Sequence, residues 1–200
     1  MHSVILAGPR GSVKTSVGLV LSANSGVPFV DGNAEFVKRY GTINDFVASN
    51  GWEKFRQLEA ETLEQICETN SRSRIILAVG GGAVAHKQGE QYRQKNVELL
   101  RSNGNSVFYI LPYENLGMSA VMLVNRIERD SSSASQRPAL TGVSDPYLEM
   151  LSVLQQRDAL YREAAHYVVY TTRKSPEQIA RDICAIIRRE TAPKLLAPAA

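Results

Sequence analysis

Eight residues near the start of the chain, Gly8-Pro9-Arg10-Gly11-Ser12-Val13-Lys14-Thr15, combine glycines, a lysine and hydroxyls in a spacing suited to holding phosphate. An apolar run, Val4-Ile5-Leu6-Ala7, precedes them, and Val17, Val20 and Leu21 follow at helical spacing. Strand, glycine loop, Lys-Thr and helix together form the layout of a phosphate-binding P-loop. Backbone N–H groups of such a loop and of the first helical turn point at one spot, where the helix dipole adds partial positive charge. Lys14 is then placed for the outer phosphates of a nucleotide, and the Thr15 hydroxyl for Mg²⁺. Val13 stands where the strict pattern has glycine. If the backbone there needs φ > 0, a β-branched residue carries about 1–3 kcal/mol of strain. The plain alternative is a strand-to-helix turn with a surface lysine.

Two further stretches end strand-like runs. Asp31 follows Val27-Pro28-Phe29-Val30, and Gly80-Gly81-Gly82 follows Ile75-Ile76-Leu77-Ala78-Val79. Asp31 reads either as a metal-shell carboxylate or as a helix cap. Three consecutive glycines fit a simple turn, or a backbone that a ligand approaches closely. Arginines supply the remaining chemistry, because their planar fork binds two oxygens of a carboxylate or phosphate at once. Arg56 and Glu59 lie three apart in Gly51–Glu59 and can pair on a helix, most simply as a solvated ion pair. Arg126 lies on a helix of Leu116, Ala120, Leu123 and Ile127, and the serine-rich stretch Asp130–Pro138 with Arg137 has the look of a mobile lid. Arg157 and Arg162 flank Asp158-Ala159-Leu160-Tyr161 on a later helix.

These residues must be held by a scaffold. Strands are expected at residues 2–7, 27–30, 74–79, 105–111 and 166–170. Helices are expected near 14–25, 33–40, 43–49, 52–69, 88–103, 114–129, 145–164 and 176–189. Ser175, Pro176 and Gln178 form a capping box for the last helix, whose Ile179, Ile183, Ile186 and Ile187 make one apolar face. Short β runs alternating with helices argue for a parallel sheet covered on both faces. In such a sheet ligands bind beyond the carboxyl ends of the strands, where all three short stretches fall.

The chain has 200 residues, 44% of them apolar and 22% charged, which suits one domain with its own core. A net charge of +3 is no argument for nucleic acid and does not repel small anions. Cys67 and Cys184 lack metal-ligand spacing and read as thiols of a reducing compartment. The first residues lack the form of a signal peptide, and no apolar run is long enough to span a membrane, so a cytoplasmic protein is expected. One domain is expected over residues 1–190, with a lid at about 130–142 and a flexible tail at 191–200.

The ordered set resembles shikimate kinase, most closely the type with Gly-Pro-Arg-Gly in the P-loop and Arg-Pro-x-Leu-Thr-Gly in the lid. It is carried by Gly8–Thr15, Phe29-Val30-Asp31, Gly51–Glu59, Gly80-Gly81-Gly82, Arg137–Gly142 and Arg157–Arg162. The resemblance implies a three-layer α/β fold of the P-loop nucleoside-monophosphate-kinase type, with a five-stranded parallel sheet. It implies a monomeric, ATP- and Mg²⁺-dependent enzyme that phosphorylates the 3-hydroxyl of shikimate on the route to chorismate and aromatic amino acids. By position, Gly8, Gly11, Ser12, Val13, Lys14, Thr15 and Ser16 would serve the nucleotide, with Arg126, Arg173 and Lys174 beside adenine. Thr15 and Asp31 would serve the metal. Asn33, Arg56, Glu59, Gly80, Gly81, Gly82 and Arg157 would form the shikimate side, with Glu59 orienting Arg56. Lys14, Asp31 and Arg137 would carry the catalysis, Arg137 neutralising charge on the transferring group.

Three features depart from the family, the Ala78-Val79 pair counting as one. Asn33 replaces a carboxylate that is the candidate base, and an amide cannot take a proton. Ala78 and Val79 stand where a hydroxyl near the metal water is common, and Val13 is the third departure. All three fall on the phosphate, metal and acceptor-hydroxyl side, whereas the arginines are present. A working shikimate kinase and a weak or inactive ligand-binding relative both fit, with a P-loop kinase for another acid as a further alternative.

Overall fold

The structure, a computed structural model, describes residues 2–86, 90–129 and 143–191. Its five strands are β1 (Val4–Ala7), β2 (Phe29–Asp31), β3 (Ile76–Ala78), β4 (Ser106–Leu111) and β5 (Tyr167–Tyr170). They form one parallel sheet in the order β2-β3-β1-β4-β5. The helices among the described residues are α1 (Lys14–Ser25), α2 (Gly32–Tyr40), α3 (Ile43–Thr69), α4 (Glu90–Arg101), α5 (Leu116–Arg129), α6 (Pro146–Ala164) and α7 (Pro176–Thr191).

Period-two alternation divides the sheet's side chains between two layers. Leu6, Ile76, Phe108, Ile110 and Val169 face α1 and α7, where they meet Val17, Leu21, Ile179 and Ile183. Ile5, Leu77, Val107, Tyr109 and Leu111 face α3 to α6, where they meet Leu63, Leu100, Leu123, Leu154 and Tyr161. A sheet buried on both faces needs strands that are apolar throughout, which explains the short, unbroken runs of the sequence. A third cluster, Phe36, Val47 and Phe55, joins α2 to α3, and its Phe55 reaches the cleft described below.

The register fixes the functional edge. Ala7 lies opposite Tyr109, and both Asp31 and Leu6 lie opposite Ala78. Gly8, Asp31 and Gly80 therefore gather at the carboxyl-end edge, as expected. Boundaries shift locally. Asp31 is the last residue of β2 rather than the one after it, and Val27 and Pro28 fall outside the strand. Pro28 has no N–H for a ladder, although its carbonyl accepts from Ile76 N at 2.9 Å. The helices expected at 43–49 and 52–69 join as α3, broken at Gly51 (φ 78°, ψ 167°). The capping box of α7 forms, with Ser175 N donating to Gln178 Oε1 at 2.8 Å.

Candidate active site

The loop between β1 and α1 takes the conformation its glycines suggest, and imposes it on a residue that resists it. Val13 sits at φ 59°, ψ 21°, in the left-handed region, as the residue that opens α1. A β-branched residue there is strained, so the substitution predicted to be costly is carried in that geometry. Lys14 Nζ donates to the carbonyls of Gly8 and Pro9, both at 2.9 Å, and to Ser12 Oγ at 3.3 Å. The ammonium is thus folded over the loop it would share with a phosphate. Ser12 is buried, while Thr15 and Ser16 are exposed at the start of the helix.

Asp31 caps a helix, as one of its two readings expects. Its Oδ1 caps α2, accepting from Asn33 N at 3.0 Å and Ala34 N at 3.2 Å. Its Oδ2 accepts from the Thr15 hydroxyl at 2.8 Å. A hydroxyl and a carboxylate oxygen meeting beside a phosphate loop suit Mg²⁺, which takes few protein ligands and completes its shell with water and phosphate. Among the described residues no group of three His, Cys, Asp or Glu side chains forms a dedicated metal cage. Arg126 closes the opposite flank, near the Gly11 carbonyl at 3.5 Å and Thr171 Oγ1 at 3.4 Å, and burial pushes its guanidinium below the ordinary value.

Across the cleft, Arg56 and Glu59 overturn the expectation of a solvated pair. Arg56 Nη1 donates to Glu59 Oε2 at 2.5 Å, and the residues are only 5% and 6% exposed. Trp52 and Phe55 bury the pair, their ring centroids 5.2 and 4.9 Å from the guanidinium carbon. The glycine turn completes the enclosure. A β-carbon on Gly82 would strike the Arg56 guanidinium, and one on Gly80 would strike Glu59 Oε1 and Asn33 Oδ1. Close approach, rather than turn chemistry alone, requires glycine here. Arg56 Nε is buried and has no partner among the described residues.

Arg157 arrives from α6. Burial pushes its guanidinium below the ordinary value; the Tyr161 hydroxyl opposes that shift, and the charge of Arg56 adds to it. Two arginines that feel each other, with one glutamate between them, leave one net positive charge for an acid to neutralise. Tyr161 is fully buried; its hydroxyl donates to the Gly81 carbonyl, and its ring stacks on Tyr109 with centroids 4.7 Å apart. Tyr109 in turn donates to Asp158 Oδ1 at 3.0 Å, and Asp158 Oδ2 accepts from Arg162 Nε at 2.7 Å.

One cleft of about 410 Å³ joins these halves, with Lys14, Thr15, Asp31, Asn33, Arg56 and Arg157 among its walls. Gly11, Ser12, Val13, Ser16, Glu59, Gly81, Gly82 and Arg126 also border it, whereas Gly8 and Gly80 do not line it. Arg173 and Lys174 are not brought to it. Both are exposed, and Lys174 Nζ pairs with Asp182 at 2.8 Å on α7. Arg137 and the expected lid at 130–142 lie outside the described residues. Tyr161 was visible only as part of a motif, and no sequence signal marks its contact with Gly81.

The family model described as "Shikimate kinase" matches residues 10–188. The chain is 37% identical over 188 residues to shikimate kinase 2 of Enterobacter sp. (strain 638), covering 92% of this chain and 95% of that protein. It is 37% identical over 170 residues to the shikimate kinase of Oleidesulfovibrio alaskensis, covering 84% and 88% respectively. Among solved structures, shikimate kinase from Acinetobacter baumannii in complex with shikimate superposes with a TM-score of 0.80 at 29% identity, covering 96% of each chain. A gluconokinase from Sinorhizobium meliloti, at 21% identity and a TM-score of 0.61, shares the fold.

Proposed function

Because this chain belongs to the shikimate kinase family, we propose that it transfers the γ-phosphoryl group of ATP to the 3-hydroxyl of shikimate through the two-sided cleft. The observation that supports this most is the buried Arg56–Glu59 pair facing Arg157 across from the Lys14 loop. A surface ion pair would have no reason to sit under two aromatic rings. A pair that must present a desolvated guanidinium to a substrate carboxylate does.

The residues divide the work. Arg56 and Arg157 bind the acid's carboxylate, with Glu59 fixing the plane of Arg56. The Gly81–Gly82 backbone walls the ring side. Lys14 exchanges its loop carbonyls for phosphate oxygens, and the N–H groups from Ser12 to Ser16 surround the same oxygens. Thr15 and Asp31 hold Mg²⁺, which supplies charge neutralisation across the phosphates when bound. Arg126 lines the nucleotide side, and Arg137 is assigned the charge-neutralising role of the lid. Asn33 hydrogen-bonds the acceptor hydroxyl without accepting its proton.

A loose phosphoryl-transfer transition state needs positioning and charge stabilisation more than early deprotonation, so turnover survives without a carboxylate at position 33. Val13 in left-handed backbone and the amide of Asn33 favour a second reading, a kinase slowed on its nucleotide and acceptor-hydroxyl sides. The family relationship carries a cytoplasmic location and a monomeric state as further proposals. The test is the product itself. Phosphorus NMR of a reaction with ATP, Mg²⁺ and shikimate should show one new phosphomonoester signal coupled to the proton on carbon 3. A signal at another carbon, or none, rejects the assignment.

A further inference from the structure

The glycine turn borders both halves of the cleft, and something must decide which way its peptides face. A β-carbon placed on Gly81 would be 3.5 Å from Arg10 N and 3.5 Å from the Gly8 carbonyl, so this peptide lies directly against the P-loop backbone. Its next neighbour, Gly82, lies against the Arg56 guanidinium. With glycine on both sides, the Gly81–Gly82 peptide has no side chain to resist rotation. Ala83 N donates to the Gly80 carbonyl at 3.1 Å and Ala85 N to the Gly82 carbonyl at 3.2 Å, which pins the peptides on either side but not this one.

The pin comes from α6. The Tyr161 hydroxyl donates to the Gly81 carbonyl from a fully buried position. The ring behind it is clamped by Tyr109, whose own hydroxyl is tied to Asp158 on the same helix. In a trans peptide, C=O and N–H point in opposite directions, so fixing the Gly81 carbonyl toward Tyr161 turns the Gly82 N–H away from it. We propose that Tyr161 is a positioning residue that sets the orientation of the Gly81–Gly82 peptide and thereby presents the Gly82 N–H to the acid substrate. Arg157 lies one helical turn before Tyr161 on α6, and the Tyr161 hydroxyl has acceptor capacity left after donating to Gly81. This deepens the substrate reading given above and rests on it for the identity of the acid.

Tyr161→Phe removes the hydroxyl and keeps the stacked ring. Titration calorimetry should show shikimate binding weakened about tenfold, the loss of one hydrogen-bonded positioning contact. ADP affinity should stay within about twofold, because the Lys14 loop is unaltered. Tyr109→Phe removes the neighbouring hydroxyl but leaves the Gly81 bond, and should leave shikimate affinity unchanged. An equal loss in both variants, or parallel loss of shikimate and ADP binding, overturns the positioning role in favour of a structural one. A second readout needs neither substrate nor variant. The wild-type amide spectrum should show a single, sharp Gly82 signal and a slowly exchanging Tyr161 hydroxyl proton. Doubled or exchange-broadened Gly82 signals overturn the proposal. If the wild-type spectrum shows the fixed peptide while shikimate fails to bind, the substrate reading falls and the positioning role stands.

Discussion

Val13→Gly separates two effects that the structure places on one residue. Val13 holds φ 59°, ψ 21° in the ligand-free chain, so its strain is already present before nucleotide arrives. Left-handed backbone costs an L-residue about 1–2 kcal/mol. Glycine removes that cost but loses about 0.5–1 kcal/mol through its freer unfolded chain. It also gives up the half-buried isopropyl group packed against the Val17 and Leu21 cluster, worth roughly 0.7 kcal/mol at half of full burial. These terms nearly cancel, so the thermal midpoint should move by less than about 4 °C. Nucleotide affinity has a different limit. Strain shared by the free and the bound loop cancels from binding, so affinity can gain only what the branched side chain costs by crowding the phosphate. Val13→Gly should therefore tighten ADP about three- to tenfold by calorimetry, roughly 0.7–1.4 kcal/mol, with shikimate affinity unchanged. Unchanged ADP affinity refutes the reasoning, because the loop would then tolerate valine without loss. A gain of a thousandfold refutes it too, because crowding by one isopropyl group cannot supply it.

Asn33→Asp restores a proton acceptor beside the acceptor hydroxyl and should raise the turnover number while ADP affinity stays the same, as read from steady-state rates and titration. Arg56→Ala and Arg157→Ala should each weaken shikimate binding by about 1.5–3 kcal/mol, the range for a charge-assisted hydrogen bond. Arg56→Ala should also lower the thermal midpoint more than Arg157→Ala does, since it strands Glu59, 6% exposed, without its cation. Gly82→Ala puts a methyl into the Arg56 guanidinium and should raise the KM for shikimate while leaving that for ATP alone.

How far the sequence foretells the site depends on how local each cause is. The P-loop is legible because strand, loop and helix are contiguous, and Val13 announced its strain through side-chain shape alone. The ladder edge was legible from apolar runs, and only its ends moved, where Pro28 lacks a donor. Arg56 and Glu59 read as a solvated pair from spacing alone, and only the resemblance assigned them to the substrate side. Helical spacing predicts the pair but not its burial, which comes from Gly80 and Gly82 more than twenty residues later and from Trp52 folding over it. Asp31 offered two roles; one oxygen takes the helix cap, and the other meets the Thr15 hydroxyl, where the metal role is proposed. Lys174 was assigned to the nucleotide by resemblance, yet it lies exposed before α7 and pairs with Asp182 on that helix. Tyr161 stayed hidden because its partner lies eighty residues away in sequence.

We propose that this cleft phosphorylates shikimate through an intact acid-binding half, with Val13 and Asn33 slowing its nucleotide and acceptor-hydroxyl sides. A coupled ADP-release assay, run on the wild-type chain beside the Val13→Gly/Asn33→Asp double variant, tests it directly. The account predicts ADP release that depends on shikimate in both proteins, saturates at similar shikimate concentrations, and turns over faster in the double variant. ADP release indifferent to shikimate in both proteins would contradict it.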